Sequence, residues 1–101
     1  MLKTGARLRS QVCTTEVIVV RAGESDSPLK CGGHPMVEIG ATVMDGLSLH
    51  SDFAEGTAIG KRYTDPDGTV EILATKPGAG SLSLGDLALG LKNAKPLPSS
   101  D

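Results

Sequence analysis

Apolar residues in this chain fall into short runs, separated by glycine, proline and small polar residues. Val17 to Val20 form the strongest run, VIVV, and β-branched side chains of this kind favour a pleated strand over a helix. Val70 to Leu73 form a second run, and the stretch from Ser81 to Asp86 alternates leucine with polar or small residues. Alternation with a period of two is typical of a strand. The pattern therefore predicts an all-β protein built from short strands.

Turn-forming residues follow each of the two β-branched runs. The sequence AGESDSP occupies positions 22–28 after the first run, and KPGAG occupies positions 76–80 after the second. We expect the chain to reverse at each point, so that each run pairs with the next arm as a β-hairpin. The first hairpin would place Cys13 and Cys31 at the ends away from the turn, where the two thiols approach each other.

Length and composition predict a single small domain over residues 1–101 with a modest core. The chain has 101 residues, no tryptophan, one phenylalanine and one tyrosine, and its net charge is −2 with acidic and basic residues intermixed. This charge distribution offers no footprint for nucleic acid. No apolar run reaches the length of a membrane helix, and the first residues lack the apolar segment of a secretory signal. We therefore expect a cytoplasmic protein with no membrane partner.

The first third of the chain carries a pattern known from small iron proteins. Its parts are Ser10-Gln11-Val12-Cys13, the run from Val17 to Val20, Leu29-Lys30-Cys31-Gly32-Gly33, and Met36-Val37. This string resembles the desulforedoxin family, the smallest rubredoxin-like proteins, in which Cys-x-x-Cys is followed by a Val-rich strand, a glycine turn and Leu-x-Cys-Cys-Gly. Ser10 and Gly32 stand where the first and last cysteines would be. One unit of this kind therefore lacks a tetrathiolate iron centre.

The last third of the chain repeats the succession of an apolar run, a turn and a second arm, and it has no cysteine. Laid over the first unit, Val70 matches Val17, Leu82 matches Leu29 and Leu84 matches Cys31. We expect two desulforedoxin-like units, at 7–38 and 59–91, joined by a connector at 38–60 and followed by a flexible tail at 92–101. Because desulforedoxins are homodimers, the resemblance implies a tandem pair with a pseudo-two-fold axis.

In the connector at 38–60, apolar residues follow neither the period of two of a strand nor the period of 3.6 of a helix. Leu47 to Leu49 would fit the extension of a strand, and the segment from Ser51 to Glu55 would fit a single helical turn that Ser51 begins. Four glycines interrupt the segment. We interpret it as a connection with limited structure of its own.

Cys13, Cys31 and His34 are the candidate metal ligands, because thiolate and imidazole are the groups that zinc and iron take at tetrahedral sites. A fourth ligand would have to come from Glu16, His50, Asp52 or another chain. Two alternatives stay open: a vestigial site that keeps two small buried thiols without metal, and a disulfide between Cys13 and Cys31. No cofactor is certain, and zinc and iron are the two that the residues would suit.

Other motifs favour structural explanations. A thiolate nucleophile activated by His34 or His50 lacks a recognisable third member or oxyanion motif. The sequence from Asp65 to Gly68, DPDG, begins like a calcium loop but has no glutamate at the closing position, and it suits a β-turn. Gly78 to Gly80 looks like part of a phosphate loop but joins two predicted strands, which favours a hairpin turn.

These observations predict a small non-catalytic accessory or binding module, which self-associates as a homo-oligomer or docks onto a larger protein. Each unit is too small to bury its apolar face alone. The alternative is a zinc- or iron-binding protein that uses Cys13, Cys31 and His34 and passes electrons to a partner oxidoreductase.

Overall fold

The computed structural model of the protein describes residues 3–23, 27–44 and 46–91. In these residues the chain forms ten short β-strands and one turn of 3₁₀ helix, Ser51–Phe53. The strands are β1 Arg7–Arg9, β2 Glu16–Arg21, β3 Leu29–Cys31, β4 His34–Pro35, β5 Val37–Glu38, β6 Arg62–Thr64, β7 Glu71–Lys76, β8 Leu82–Leu84, β9 Leu87–Ala88 and β10 Gly90–Leu91. The all-β prediction is confirmed. The described residues include no helix long and apolar enough to cross a membrane, and the predicted tail at 92–101 lies outside them.

The strands form two antiparallel sheets. One has six strands in the order β10-β6-β7-β2-β1-β5, and the other has four in the order β4-β3-β8-β9. The two longest strands, β2 and β7, lie side by side in the middle of the larger sheet, where Val19 pairs with Ile72. The strands β3 and β8 are the central pair of the smaller sheet, where Cys31 pairs with Leu82.

Both predicted hairpins are wrong. The run VIVV lies in β2 of the larger sheet, whereas the arm that follows it becomes β3 of the smaller sheet, and β7 and β8 separate in the same way. Each turn-rich connection therefore passes from one sheet to the other. Pairing between β2 and β7, six residues each, forms more backbone hydrogen bonds than pairing of either with a three-residue strand. Turn chemistry predicts a change of direction, but it does not name the strand that pairs.

The strand order of each sheet is symmetric between the two halves of the chain. When β1 to β5 are matched in turn with β6 to β10, each sheet has the same order from either edge. In the first half of the chain β1 pairs with β2 and β5, and β3 pairs with β4. In the second half β6 pairs with β7 and β10, and β8 pairs with β9. The halves are joined through β2 with β7 and through β3 with β8. Neither sheet therefore forms from one half of the chain alone.

One apolar cluster lies under both sheets. The run VIVV contributes alternate side chains, since Val17 and Val19 are buried, Ile18 is half-buried and Val20 is 37% exposed. Cys31 belongs to this cluster and is fully buried. The core is completed by residues of both halves: Leu8, Leu29, Met36, Tyr63, Val70, Ile72, Ala74, Leu82, Leu84 and Leu89. The strand that carries Cys31, β3, is thus held by core packing as well as by its hydrogen bonds.

Gly32 and Gly33 form the two-residue turn between β3 and β4. Their φ angles are +66° and +88°, and a hairpin with two such residues is a type that strongly favours glycine. The turn leads from Cys31 directly to His34, which pairs with it across the strands. Gly32, which stands where the resemblance would have the last ligand cysteine, therefore serves the backbone turn here together with Gly33.

The segment between β5 and β6 contains the helical turn predicted at Ser51, and His50 caps its start. The strand considered for Leu47 to Leu49 does not form, because these residues have no strand partner. At the end of the segment Thr57 pairs with Gly78 through two backbone hydrogen bonds, of 2.9 and 3.2 Å. The connector is therefore attached to residues 77–81, the crossing that leads from β7 in the larger sheet to β8 in the smaller one.

Candidate functional site

Cys13 lies in a short loop between β1 and β2 that a buried serine holds in shape. The Ser10 hydroxyl oxygen accepts hydrogen bonds from the backbone N–H groups of Val12 and Cys13, both at 3.1 Å. The Ser10 N–H donates to the Thr15 carbonyl at 2.9 Å, which closes the loop. Ser10 and Thr15 are buried, whereas Cys13 is half-buried. The thiol of Cys13 is thus presented by a loop with little freedom.

The structure brings the two cysteines together although Cys13 lies in a loop of the larger sheet and Cys31 lies in a strand of the smaller sheet. Cys31 ends β3, and its Sγ lies 3.7 Å from the Sγ of Cys13. Both cysteines are free thiols in this structure. The predicted approach of the thiols is confirmed, but the contact forms between the loop of one sheet and a strand of the other.

A glycine-containing crossing between β7 and β8 covers the two sulfur atoms. The N–H of Gly80 donates to Cys13 Sγ at 3.4 Å, and the Thr14 hydroxyl donates to the Pro77 carbonyl at 2.6 Å. A β-carbon added at Gly80 would lie 3.1 Å from Cys31 Sγ and 2.9 Å from the backbone nitrogen of Gly32. Gly78 has a similarly close approach to Cys13 and Thr15. The glycines are therefore needed for close contact with the thiols, and the predicted hairpin turn at Gly78 to Gly80 is absent.

The two thiols have different acidities. Burial raises the pKa of Cys13, but the hydroxyls of Ser10 and Thr15 and the N–H groups of Thr15 and Gly80 lower it more, to about 7. For Cys31, burial and the neighbouring charge of Cys13 raise the pKa to about 11. Near neutral pH Cys13 is therefore partly a thiolate, whereas Cys31 stays protonated.

His34, the third predicted metal ligand, is engaged elsewhere. Its Nε2 forms a hydrogen bond of 2.9 Å with the carbonyl oxygen of Ser48. In the part of the chain that the structure describes, no group of three or more His, Cys, Asp or Glu residues is arranged to hold a metal ion. Cys13 and Cys31 therefore contact each other, whereas His34 does not join them in a group of ligands. Metal binding stays a prediction, and elemental analysis of protein purified without chelator would test it.

The residues considered as a fourth ligand also have other contacts. His50 Nδ1 accepts a hydrogen bond from the Asp52 N–H at 3.1 Å, and its ring lies edge-on to Phe53 with the ring centres 5.9 Å apart. Glu16 pairs with Lys76 at 3.4 Å. These contacts stabilise the 3₁₀ turn and the edge of the β2–β7 pair.

Several residues around the thiols were not identified as important from sequence. Thr15 and Gly80 both contact Cys13 Sγ, and Gly78 limits the space beside it. Gly78 to Gly80 carried only a turn signal, and Thr15 carried none. Ser10 was noted as the replacement of a ligand cysteine, and the structure places its hydroxyl oxygen 3.3 Å from Cys13 Sγ. Spacing relative to a known motif was the only signal that led to this group.

Asp65 closes the loop between β6 and β7, at the place in the second half that Ser10 occupies in the first. Its carboxylate accepts hydrogen bonds from the Thr69 hydroxyl at 2.6 Å and the Val70 N–H at 2.9 Å. The Gly68 N–H donates to the Asp65 carbonyl at 3.0 Å, which forms the predicted β-turn. Burial raises the pKa of Asp65, but these hydrogen bonds outweigh burial and hold the pKa below its ordinary value.

Replacement of Asp65 by asparagine should destabilise the protein by about 1.5–3 kcal/mol, the range for hydrogen bonds to charged groups. Because the pKa of Asp65 is lower in the folded state, its contribution is present above the ordinary pKa of an aspartate and is lost as pH falls through the folded value. Urea unfolding at neutral pH and near pH 3 measures both effects. The exposed Asp67→Asn variant of the same turn is the control, and equal losses in both variants would contradict the assignment.

A separate groove lies at the edge of the six-stranded sheet, beside β10. It has a volume of about 550 Å³. Its lining includes Tyr63, Leu82, Leu89 and Leu91, together with residues 55–58, 78, 81 and 90. The Tyr63 hydroxyl accepts a hydrogen bond from the Ala58 N–H at 2.9 Å, which fixes one wall. This volume lies within the range of small-ligand and peptide sites.

Comparisons with known proteins identify no relative: no family model matches the chain, no curated protein matches it, and no solved structure matches its fold.

Proposed function

We propose that this protein is a small, non-catalytic binding module that receives an extended apolar segment of a partner polypeptide in the groove beside β10. One observation carries the proposal: the open edge of the larger sheet and an apolar groove meet at the same strand. An exposed edge supplies backbone hydrogen-bonding groups, and a groove beside it supplies pockets for alternate side chains. Together they suit a peptide that adds a strand.

The edge strand is short but open. β10 pairs with β6 on one side, and on its other side the described residues provide no strand neighbour. Leu89 is buried at the inner side of the groove, whereas Leu91 on β10 is 55% exposed. Proteins commonly protect an exposed strand edge with charge or a cover, and within residues 3–23, 27–44 and 46–91 no charged side chain of β10 and no further strand does so. An apolar strand from another polypeptide would remove Leu91 from water and satisfy the free backbone groups.

The non-catalytic part of the proposal is supported by the histidines. The described hydrogen bonds of His34 and His50 involve Ser48 and Asp52, and neither connects an imidazole to a thiol. A general base must lie within hydrogen-bonding reach of the group that it activates. We further propose that the protein acts as an accessory or binding subunit in the cytoplasm, without nucleic acid or membrane as partner.

The tandem-unit interpretation remains part of this proposal. The symmetric strand order supports two related halves, because β1 to β5 and β6 to β10 follow the same succession of pairings. The strands β3 and β8 hold equivalent places in the two halves and have three residues each. By position in the strand, Cys31 at the end of β3 corresponds to Leu84 at the end of β8. A scaffold that repeats without its cysteines suits binding better than electron transfer, for which each centre needs its full set of thiolates. The relation to desulforedoxins stays a prediction.

The test is peptide binding by the full chain. An array of short extended peptides is probed with the wild-type protein and with Leu91→Asp, which places a charge at the exposed groove wall. We expect the variant to lose at least about tenfold in affinity for the selected peptides, equivalent to about 1.4 kcal/mol. Met44→Asp is the matched control, since Met44 is 64% exposed and does not line the groove.

Equal binding by Leu91→Asp and wild type would contradict the groove as the site, as would the absence of any selected peptide. Light scattering on the same samples identifies a second copy of the chain as the occupant. Dimers that Leu91→Asp abolishes would mean that the segment received comes from another copy. A wild-type monomer at high concentration would argue against self-association and leave a different polypeptide as partner.

A further inference from the structure

The proposed binding role does not use the two thiols, although the structure surrounds them closely. Cys13 Sγ and Cys31 Sγ are 3.7 Å apart, and the sulfur atoms of a disulfide are about 2.05 Å apart. An approach of roughly 1.7 Å would therefore join them. Cys13 lies in a loop outside the strands, whereas Cys31 is held in β3 by pairing with β4 and β8. Because hydrogen bonds hold the backbone of the Cys13 loop, rotation of the cysteine side chains can supply this movement while the loop and the sheet stay in place.

The surroundings of the two sulfur atoms differ in access. Cys31 is fully buried in the apolar cluster, so a reagent in solution does not reach its sulfur. Cys13 is half-buried and is contacted by the hydroxyls of Ser10 and Thr15, at 3.3 and 3.2 Å, and by the N–H of Gly80. In the thiolate form all three groups can donate hydrogen bonds to Cys13 Sγ. Such donors favour a thiolate, which is the nucleophilic form of cysteine.

We propose that Cys13 and Cys31 form a redox-active dithiol, in which Cys13 attacks a low-molecular-weight disulfide and Cys31 resolves the product. The geometry assigns the order of the two steps, because Cys13 is the less buried of the two cysteines and Cys31, the other cysteine of the chain, has its sulfur 3.7 Å from Cys13 Sγ. This inference is independent of the groove and of any partner polypeptide.

The exchange balances in two steps. In the first, Cys13 Sγ attacks one sulfur of the reagent RSSR, the reagent's S–S bond breaks, and RS⁻ leaves as a mixed disulfide forms at Cys13. In the second, Cys31 loses its proton to solvent and attacks Cys13 Sγ, and the second RS⁻ leaves. The two cysteines lose two electrons and the reagent gains two. The products are one Cys13–Cys31 disulfide and two RSH molecules once the released thiolates take up protons.

The experiment uses the full chain, reduced and treated with chelator, in glutathione redox buffers of fixed ratio. After an acid quench, remaining thiols are alkylated and the protein is weighed by mass spectrometry. Wild type should lose both thiols together and retain no glutathione. Cys31→Ser should retain one glutathione, at Cys13, because the resolving thiol is absent. Cys13→Ser should stay unmodified while it is folded.

Glutathione that persists on Cys13 of wild type as the end product would overturn the proposal, and so would equal reaction rates for Cys13→Ser and wild type. A brief treatment of the reduced wild type with iodoacetamide supplies a test that needs no variant. We expect Cys13 to be labelled more than tenfold faster than Cys31 in the folded protein, and both to be labelled alike after denaturation. Equal labelling in the folded state would contradict the assigned order.

Discussion

Replacement of Gly78 by alanine is expected to lower the free energy of unfolding by about 3 kcal/mol, the upper part of the usual range for overpacking. A β-carbon at this position would lie 2.6 Å from the backbone nitrogen of Thr15 and 2.9 Å from Cys13 Sγ. Gly78 is also held by two backbone hydrogen bonds to Thr57, so the crossing cannot move away without losing them. Urea unfolding followed by circular dichroism measures the loss.

Gly90→Ala is the matched control for this change. Gly90 lies in β10 with an ordinary φ, and a β-carbon there meets no atom within 4 Å, so its stability should change by less than about 0.5 kcal/mol. Thr15→Ala should recover little stability in the Gly78→Ala background, because the conflicting backbone nitrogen remains. A Gly78→Ala protein as stable as Gly90→Ala would show that the crossing is not closely packed on the thiol loop.

Replacement of Ile72 by alanine should cost about 3–4 kcal/mol, within the range for large-to-small changes at buried aliphatic positions. Ile72 is fully buried in β7 and pairs with Val19 on one side and Tyr63 on the other. The cavity would lie where the halves of the chain meet, between strands that cannot approach each other without breaking their hydrogen bonds. For a small domain this is a large part of the total stability.

Ile59→Ala provides the comparison, since Ile59 is 59% exposed and its removal should cost less than about 0.5 kcal/mol. Chemical denaturation of both variants at the same pH gives the two values directly. Similar losses for Ile59→Ala and Ile72→Ala would be incompatible with a core centred on the β2–β7 pair.

The crossing between β7 and β8 connects the two proposed sites. Gly78 and Ser81 line the groove, while Gly80 contacts Cys13 Sγ through its N–H. The Thr57 hydroxyl donates to the Gly80 carbonyl at 2.6 Å and attaches the groove wall to the same segment. Direct contacts therefore connect the surroundings of the dithiol to residues that line the groove. Peptide binding should accordingly be measured on both reduced and oxidised protein.

Part of the candidate site was predictable from the sequence, although through a wrong intermediate step. The approach of Cys13 and Cys31 was inferred from a β-hairpin that does not form, and the two sulfur atoms nevertheless lie 3.7 Å apart. Ligand chemistry placed His34 with them, whereas its ring forms a hydrogen bond with the Ser48 carbonyl oxygen. An imidazole directly after a turn has several hydrogen-bond partners within reach, and the final packing selects among them.

The match between the two halves shows a similar division. By position within their strands, Leu29 of β3 corresponds to Leu82 of β8 and Cys31 corresponds to Leu84. That the two halves are repeats of one unit stays a prediction. The starts of β2 and β7, however, match Val17 with Ile72 instead of Val70. The connection after β7 is shorter than the one after β2, so no ungapped alignment fits both parts. The error arises because turn length is not constrained by the apolar pattern.

The sequence by itself determined the local properties of this protein: β-branched runs that become strands and glycines that permit the Gly32-Gly33 turn. These follow from the conformational preferences of neighbouring residues. Only the tertiary structure decided that β2 pairs with β7, that the predicted hairpin arms lie in different sheets, and that Gly78 and Gly80 lie against the two thiols. Strand partners are chosen by the burial of apolar faces from distant parts of the chain, and that competition is not recorded in any single segment.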